Sequence, residues 1–277
     1  MTASRPEPGW NHRWIDLAGL RTYVRISLDG GEATPVLHLH GFGISGNYLM
    51  PTARLLVDRG VQVVPDLPGY GRSEKPRRPL SIPGLADAAV AVLDTLGIER
   101  AVLVGNSMGC PISLEVANRY PDRVEALVLV SPAGGAANQP LGRAVGQLAR
   151  DATRENRRMA TVAVPDYLRF GPVNTLRLFQ EMTRFPALDR LIGIHVPALA
   201  VLGDRDPLLP GPERIRAVAR LMPPNVTVVK IEGAAHALNF SHPGELAHVI
   251  RSWRDGVAID DDPTQPGLAT VIQLPRE

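Results

Sequence analysis

The sequence predicts an α/β protein: a mostly parallel, eight-stranded sheet flanked by helices, with a small helical cap inserted after the sixth strand. Three observations carry that reading. Short runs that are apolar throughout alternate with segments of helical periodicity, the pattern of parallel strands covered on both faces. The alternation breaks once, from about Gly134 to Gly193, where only helical patterns occur. A short apolar run also ends in Gly105-Asn106-Ser107-Met108-Gly109, small residues flanking a serine where a strand gives way to a helix.

The elements follow in order. Two amphipathic strands, 14–17 and 22–27, turn at Ala18-Gly19. Residues 36–40 read as a strand, and 48–59 as a helix that Gly60 ends. A strand at 61–65, a helix at 82–96 and a strand at 101–104 lead to the serine. The helix 108–120 and the strand 124–130 complete the first part of a core spanning 1–133. After the insertion, 134–193, the alternation resumes across 194–255: strand 197–202, helix 212–222, strand 226–231, helix 243–253. Residues 256–277 carry Asp260-Asp261-Asp262 with several prolines and glycines, composition expected of a poorly ordered or surface-laid tail.

Composition narrows the function classes. At 277 residues and 44% apolar, the chain is long enough to bury one large core with an insertion. A net charge of +2 is too small to imply nucleic acid. The single cysteine, Cys110, rules out an internal disulfide framework and fits a reducing cytosol. No Cys/His cluster has zinc spacing, and no phosphate-binding glycine loop follows a strand, so neither metal nor cofactor is expected. No run is long enough for a membrane span and the first residues lack a signal pattern. The expectation is therefore a cytoplasmic monomer or homodimer acting on a small molecule, with no nucleic-acid or membrane partner. The insertion holds nine arginines against five acids, which reads as a solvated surface in preference to a basic rim for anionic substrates.

The chemistry starts from Ser107. A parallel strand that stops at a serine needs a very tight turn, and Gly105 and Gly109 remove the side chains that would collide in it. The hydroxyl then stands at a helix N-terminus, where a nucleophile belongs. A serine is weakly nucleophilic at pH 7 and needs a base, which in turn needs an acceptor to fix its tautomer. His236 follows the last core strand in a small-residue loop. His12, His38, His195, His242 and His248 lie in an arm, inside a strand, at the edge of the insertion, or near the last helix. Asp204 and Asp206 both follow the strand 197–202, and chain order alone does not separate them. Backbone N–H groups of Met108 and of Phe42, in the loop His40-Gly41-Phe42-Gly43, are placed to hold an oxyanion. Asn106, His40, Gly41, Gly43 and Leu238 are candidate pocket residues. Cys110, inside the helix after Ser107, reads as a buried hydrophobe, and Asp66 as a structural residue of the turn that follows it.

With these residues in view, the chain resembles the α/β-hydrolases that carry a cap, from about Trp14 to Asp255. The likeness rests on His40-Gly43, on Asp66-Leu67-Pro68-Gly69-Tyr70-Gly71-Arg72-Ser73, and on Gly105-Asn106-Ser107-Met108-Gly109. Gly203, Asp206 and Pro210 match the family's acid segment, and Gly233 and His236 its base segment. The resemblance implies a Ser107–Asp206–His236 triad with Asp204 as a turn residue. A serine nucleophile is unlike the aspartate of relatives that dehalogenate or open epoxides. The implied activity is hydrolysis of a carboxylic ester, thioester or lactone. Asn106 and Met108 around the serine resemble hydrolases that split a carbon–carbon bond in meta-cleavage dienoates, although Cys110 and Ala237 depart from that pattern. A third reading is a small-molecule receptor of this fold with slow or no turnover.

Overall fold

The computed structural model describes residues 7–133, 138–155, 157–259 and 271–273. The start of the insertion at Gly134 and the acidic run Asp260-Asp261-Asp262 lie outside these residues. Strands β1 (Trp10–Leu17) and β2 (Leu20–Ser27) form a hairpin. Its turn uses Ala18 and Gly19, both at positive φ, and Asp16 Oδ1 accepts the Gly19 N–H. Two successive left-handed residues match the twist of a two-residue hairpin. Strands β3 (Val36–Leu39), β4 (Gln62–Pro65), β5 (Ala101–Asn106), β6 (Val124–Val130), β7 (Ala198–Gly203) and β8 (Val226–Ile231) run parallel. Every residue of β3, β4, β5 and β7 is buried, as continuous apolar strands between two helix layers must be.

The helices are α1 (Met50–Leu55), α2 (Ile82–Thr95), α3 (Gly109–Arg119), α4 (Leu141–Ala152), α5 (Met159–Phe170), α6 (Pro172–Arg184), α7 (Ala187–Ile192), α8 (Pro212–Arg220), α9 (Leu238–Ser241) and α10 (Pro243–Asp255). Ser81 caps α2 by accepting the Gly84 N–H, and Gly256 in the left-handed region ends α10. Helices α4–α7 lie between β6 and β7 in the chain, where the sequence places its insertion. The expected helix 48–59 is broken into α1 flanked by two 3-10 turns. Pro51 is tolerated in the first turn of α1 because the N–H it lacks has no partner inside the helix.

The sheet runs β1-β2-β4-β3-β5-β6-β7-β8-β9. The ninth strand, β9 (Val271–Gln273), pairs antiparallel with β8, a tail strand the sequence reading does not anticipate. It covers β8, which would otherwise expose a row of unpaired backbone groups. The strand order turns back between β3 and β5, and that is where the carboxyl ends of parallel strands open a crevice. Loops after β3, β5, β7 and β8 carry His40–Gly43, Ser107, Asp206 and His236, so the topology gathers them at one end of the sheet. No helix among the described residues is long and apolar enough to cross a membrane.

A buried ion pair anchors the side of the crevice next to β4. Arg25 on β2 makes a two-pronged contact with Asp66, at 2.8 and 3.3 Å, and also reaches Asn47 and the Val64 carbonyl. Asp66 further accepts the N–H groups of Gly46 and Arg72. Burial pushes the Asp66 carboxyl up, but Arg25 and these donors outweigh it and hold the group below its ordinary value. Asp66 thus has the structural role the sequence assigns to it. Asp66→Ala would strand the Arg25 charge in the interior, and unfolding by denaturant should show a loss of about 3–5 kcal/mol. A loss under about 1 kcal/mol would mean that the pair does not anchor this side of the crevice.

Candidate active site

The turn after β5 is as tight as its glycines imply. A Cβ at Gly105 would collide with the Gly109 carbonyl oxygen, and one at Gly109 with the Leu39 carbonyl oxygen of β3. Ser107 sits between them at φ +55°, a left-handed conformation that a non-glycine residue keeps only when its surroundings enforce it. The Ser107 N–H donates to the Val130 carbonyl and fixes the turn against β6. Among the described residues the Ser107 hydroxyl makes no hydrogen bond, and Phe42 and Met108 have backbone N–H groups with no acceptor.

His236 and Asp206 meet in the same crevice. His236 Nδ1 lies 2.7 Å from Asp206 Oδ2, while Asp206 Oδ1 accepts the Leu208 N–H. In the neutral ring, Nδ1 donates to the carboxylate and Nε2 carries a lone pair. Asp204 turns elsewhere and accepts the Gly233 N–H, holding the loop that leads to His236. Burial pushes His236 down; the Asp206 charge and hydrogen bond outweigh it, Asp151 and Glu155 add to them, and the ring rises to about 9.

Ser107, His236, Gly41, Phe42 and Asn106 line one cavity of about 490 Å³. Its wall is otherwise largely apolar, with Ile44, Leu148, Met159, Tyr167, Phe179 and Met182 prominent. The loop after β3 is held open to it by Tyr48, whose hydroxyl accepts the Gly41 N–H at 2.6 Å and donates to Asn106 Oδ1 at 2.7 Å. Asn106 Nδ2 in turn donates to the carbonyls of Val130 and His236. One fully buried tyrosine therefore ties the loop after β3 to the turn at Ser107, and Asn106 extends the tie to His236.

Three expected pocket residues are not on this wall. His40 is fully buried, donating from Nδ1 to the Gly41 carbonyl and accepting the Leu67 N–H at Nε2, so it shapes the loop from behind. Leu238 packs into the core beside Ile231 and Leu246. Gly43, at φ +70°, leaves room for the ring of Tyr167, which takes the place on the wall. Cys110 is buried and donates its thiol to backbone carbonyls, and burial pushes that thiol far up. Of the insertion's arginines with described side chains, only Arg157 reaches the wall, whereas the carboxylates Asp151 and Glu155 do so as well. Sequence reading missed Tyr48, Asp151 and Glu155, because nothing in their local windows distinguishes them from packing or surface residues. Among the described residues no cluster of His, Cys, Asp or Glu could hold a metal ion.

Comparison with known proteins identifies the family. The profile of the alpha/beta hydrolase family matches residues 36–249. Over 255 residues the chain is 30% identical to a dihydrolipoyllysine-residue acetyltransferase component of an acetoin cleaving system from Pseudomonas putida, covering 80% of this chain and 63% of that one. Over 134 residues it is 40% identical to a 2-hydroxymuconate semialdehyde hydrolase from Pseudomonas sp. (strain CF600), covering 47% and 45%. The chain thus spans less than two thirds of the length of either relative. Among solved structures it resembles Est816, an N-acyl homoserine lactone degrading enzyme, with a TM-score of 0.70, 26% identity, and coverage of 87% and 100%.

The Tyr48 bridge makes a direct prediction. Tyr48→Phe leaves the buried Gly41 N–H and Asn106 Oδ1 without this partner, at a cost of about 1–3 kcal/mol each at most. The expected result is a folded protein of lower melting temperature whose serine reacts more slowly with a fluorophosphonate. Unchanged labelling would separate the bridge from the site.

Proposed function

The chain belongs to the alpha/beta hydrolase family, and on that premise we propose that it is a serine hydrolase cleaving a carboxylic ester, thioester or lactone of a small organic molecule. The observation that carries this reading is one largely apolar cavity with Ser107 and His236 on its wall and Asp206 2.7 Å behind the ring. His236 Nε2 takes the Ser107 proton as Oγ attacks the carbonyl carbon. The oxyanion forms against the N–H groups of Phe42 and Met108. The bond to the leaving group breaks as His236 returns the proton to it, and a water activated by the same ring then releases the acyl group. The mechanism calls for no cofactor. Likeness to a lactone-degrading enzyme supports the ester-and-lactone side of the proposal.

In this reading the 134–193 insertion acts as a cap that sets substrate size, and the protein works in the cytoplasm as a monomer or homodimer. One free, buried cysteine supports that compartment. A second reading, carbon–carbon bond hydrolysis of a dienoate, draws on the 40% identity to 2-hydroxymuconate semialdehyde hydrolase. The cavity wall weighs against it: two carboxylates beside a single described arginine disfavour an anionic substrate. A receptor without turnover is the third reading, and the free serine, free oxyanion donors and paired base favour the enzyme over it.

Intact-mass spectrometry after fluorophosphonate treatment tests the mechanism. A single adduct on the wild type, absent in Ser107→Ala and slowed in His236→Ala, is the expected result. With a substrate found among esters, lactones and dienoates, Ser107→Ala should lower kcat on the order of 10⁴-fold without unfolding the chain. A folded wild type that takes no adduct would move the receptor reading to first place. The pH profile follows from the base. Only the neutral ring accepts a proton, so kcat/KM must rise with pH through the His236 value, which sits above 6.5 and near 9. A kcat/KM that shows no acid limb would show that His236 is not the base.

A further inference from the structure

We propose that Asp151 and Glu155 are positioning residues for the His236 base, holding its backbone from the end of α4 and adding their charges to the field at its ring. The inference rests on the reading of His236 as the base. It starts from the loop between β8 and α9, which runs through Gly233-Ala234-Ala235 and has no bulky side chain to lock it. Gly233 there is at φ +80°. A loop of such residues keeps one conformation only if its backbone groups are tied down.

Asp204 and the Arg205 N–H hold the start of the loop at Gly233 and Ala234, Asn106 holds the His236 carbonyl, and the insertion ties the N–H groups at its end. Asp151 Oδ1 accepts the N–H of His236 at 3.3 Å, and Glu155 Oε1 accepts that of Ala237 at 2.6 Å. Arg154, between them, donates to the Arg205 carbonyl in the loop that carries Asp206. Three residues within one stretch of five therefore grip the loop of the base and the loop of its acid together. Asp151 and Glu155 sit four residues apart, and both line the cavity. Asp151 is nearly fully buried, and burial pushes its carboxyl up to about 7 although His236 pulls it down. Other charged or titratable groups near the ring, among the described residues, are Asp206 after β7, Arg157 before α5, Tyr167 on α5 and Tyr48 before α1 on the cavity wall, and Arg154 and Arg205 in the contact just described. Of these only Asp206, Asp151 and Glu155 favour the imidazolium by charge.

Two functions of the carboxylates can be separated. Asp151→Asn keeps an oxygen that can accept the His236 N–H and removes the charge, whereas Asp151→Ala removes both. The experiment is a pH titration of the His236 ring by NMR on the full chain with labelled histidine, assigned through His236→Gln. Asp151→Asn and Glu155→Gln should each lower the ring's midpoint by about half a unit or more. Asp151→Ala should lower kcat about tenfold or more with KM little changed, and Asp151→Asn should restore most of that loss. Midpoints equal to the wild type in both amide variants would overturn the proposal. Fluorophosphonate labelling of the wild type keeps the two ideas apart. Normal labelling with unmoved midpoints rejects the brace and leaves the hydrolase; shifted midpoints without an adduct reject the hydrolase and leave the brace around His236.

Discussion

Strand β5 can deliver Ser107 to the crevice only because the positions two before and two after it carry no side chain. At Gly105 the obstacle would be the first turn of α3, and at Gly109 the backbone of β3. These are backbone atoms, which have nowhere to move inside a sheet packed on both faces. The close approach brings the end of β3 beside the N-terminus of α3. It also forces Ser107 to positive φ, a strain that the hydrogen bond to Val130 and the packing of β5 between β3 and β6 sustain. The rest of the site is arranged around this fixed point.

Around it, buried polar side chains connect segments that are distant in the chain. Tyr48 and Asn106 join the loops after β3, β5 and β8; Arg25 and Asp66 secure the turn after β4. Each of these groups is satisfied on several sides, which is what makes a buried polar residue a support and not a liability. The proposed base is tied on three sides. Its ring is held by Asp206, its carbonyl by Asn106 and its N–H by Asp151.

The charge of the insertion has a geometric explanation. Four of its five acids point at the core and accept backbone N–H groups there: Asp151 from His236, Glu155 from Ala237, Asp166 from Ser45 and Glu181 from Ile82. Its arginines mostly face solvent or reach carbonyls at the edge, as Arg154 and Arg169 do. An excess of positive charge in the sequence thus becomes a basic outer surface over an inner face that is acidic near the base. A count of charges along the chain carries no information about which way each one points.

The sequence by itself determined the order of strands and helices, the tight turn at Ser107 and the loop of small residues before His236. Those features are legible because they depend on local rules: burial of alternating elements, collision in a turn, and left-handed backbone at a glycine. Resemblance to a family then singled out Asp206 over Asp204; Asp206 lies 2.7 Å from the His236 ring, and Asp204 accepts the Gly233 N–H. Only the tertiary structure decided the partners of Tyr48, Asp151 and Glu155, the withdrawal of His40 and Leu238 from the cavity wall, and the strand β9. The hydrogen bonds from His236 and Ala237 to the insertion join residues 85 and 82 apart. No local window contains both ends of such a bond, and its existence depends on where the whole sheet sets the two loops.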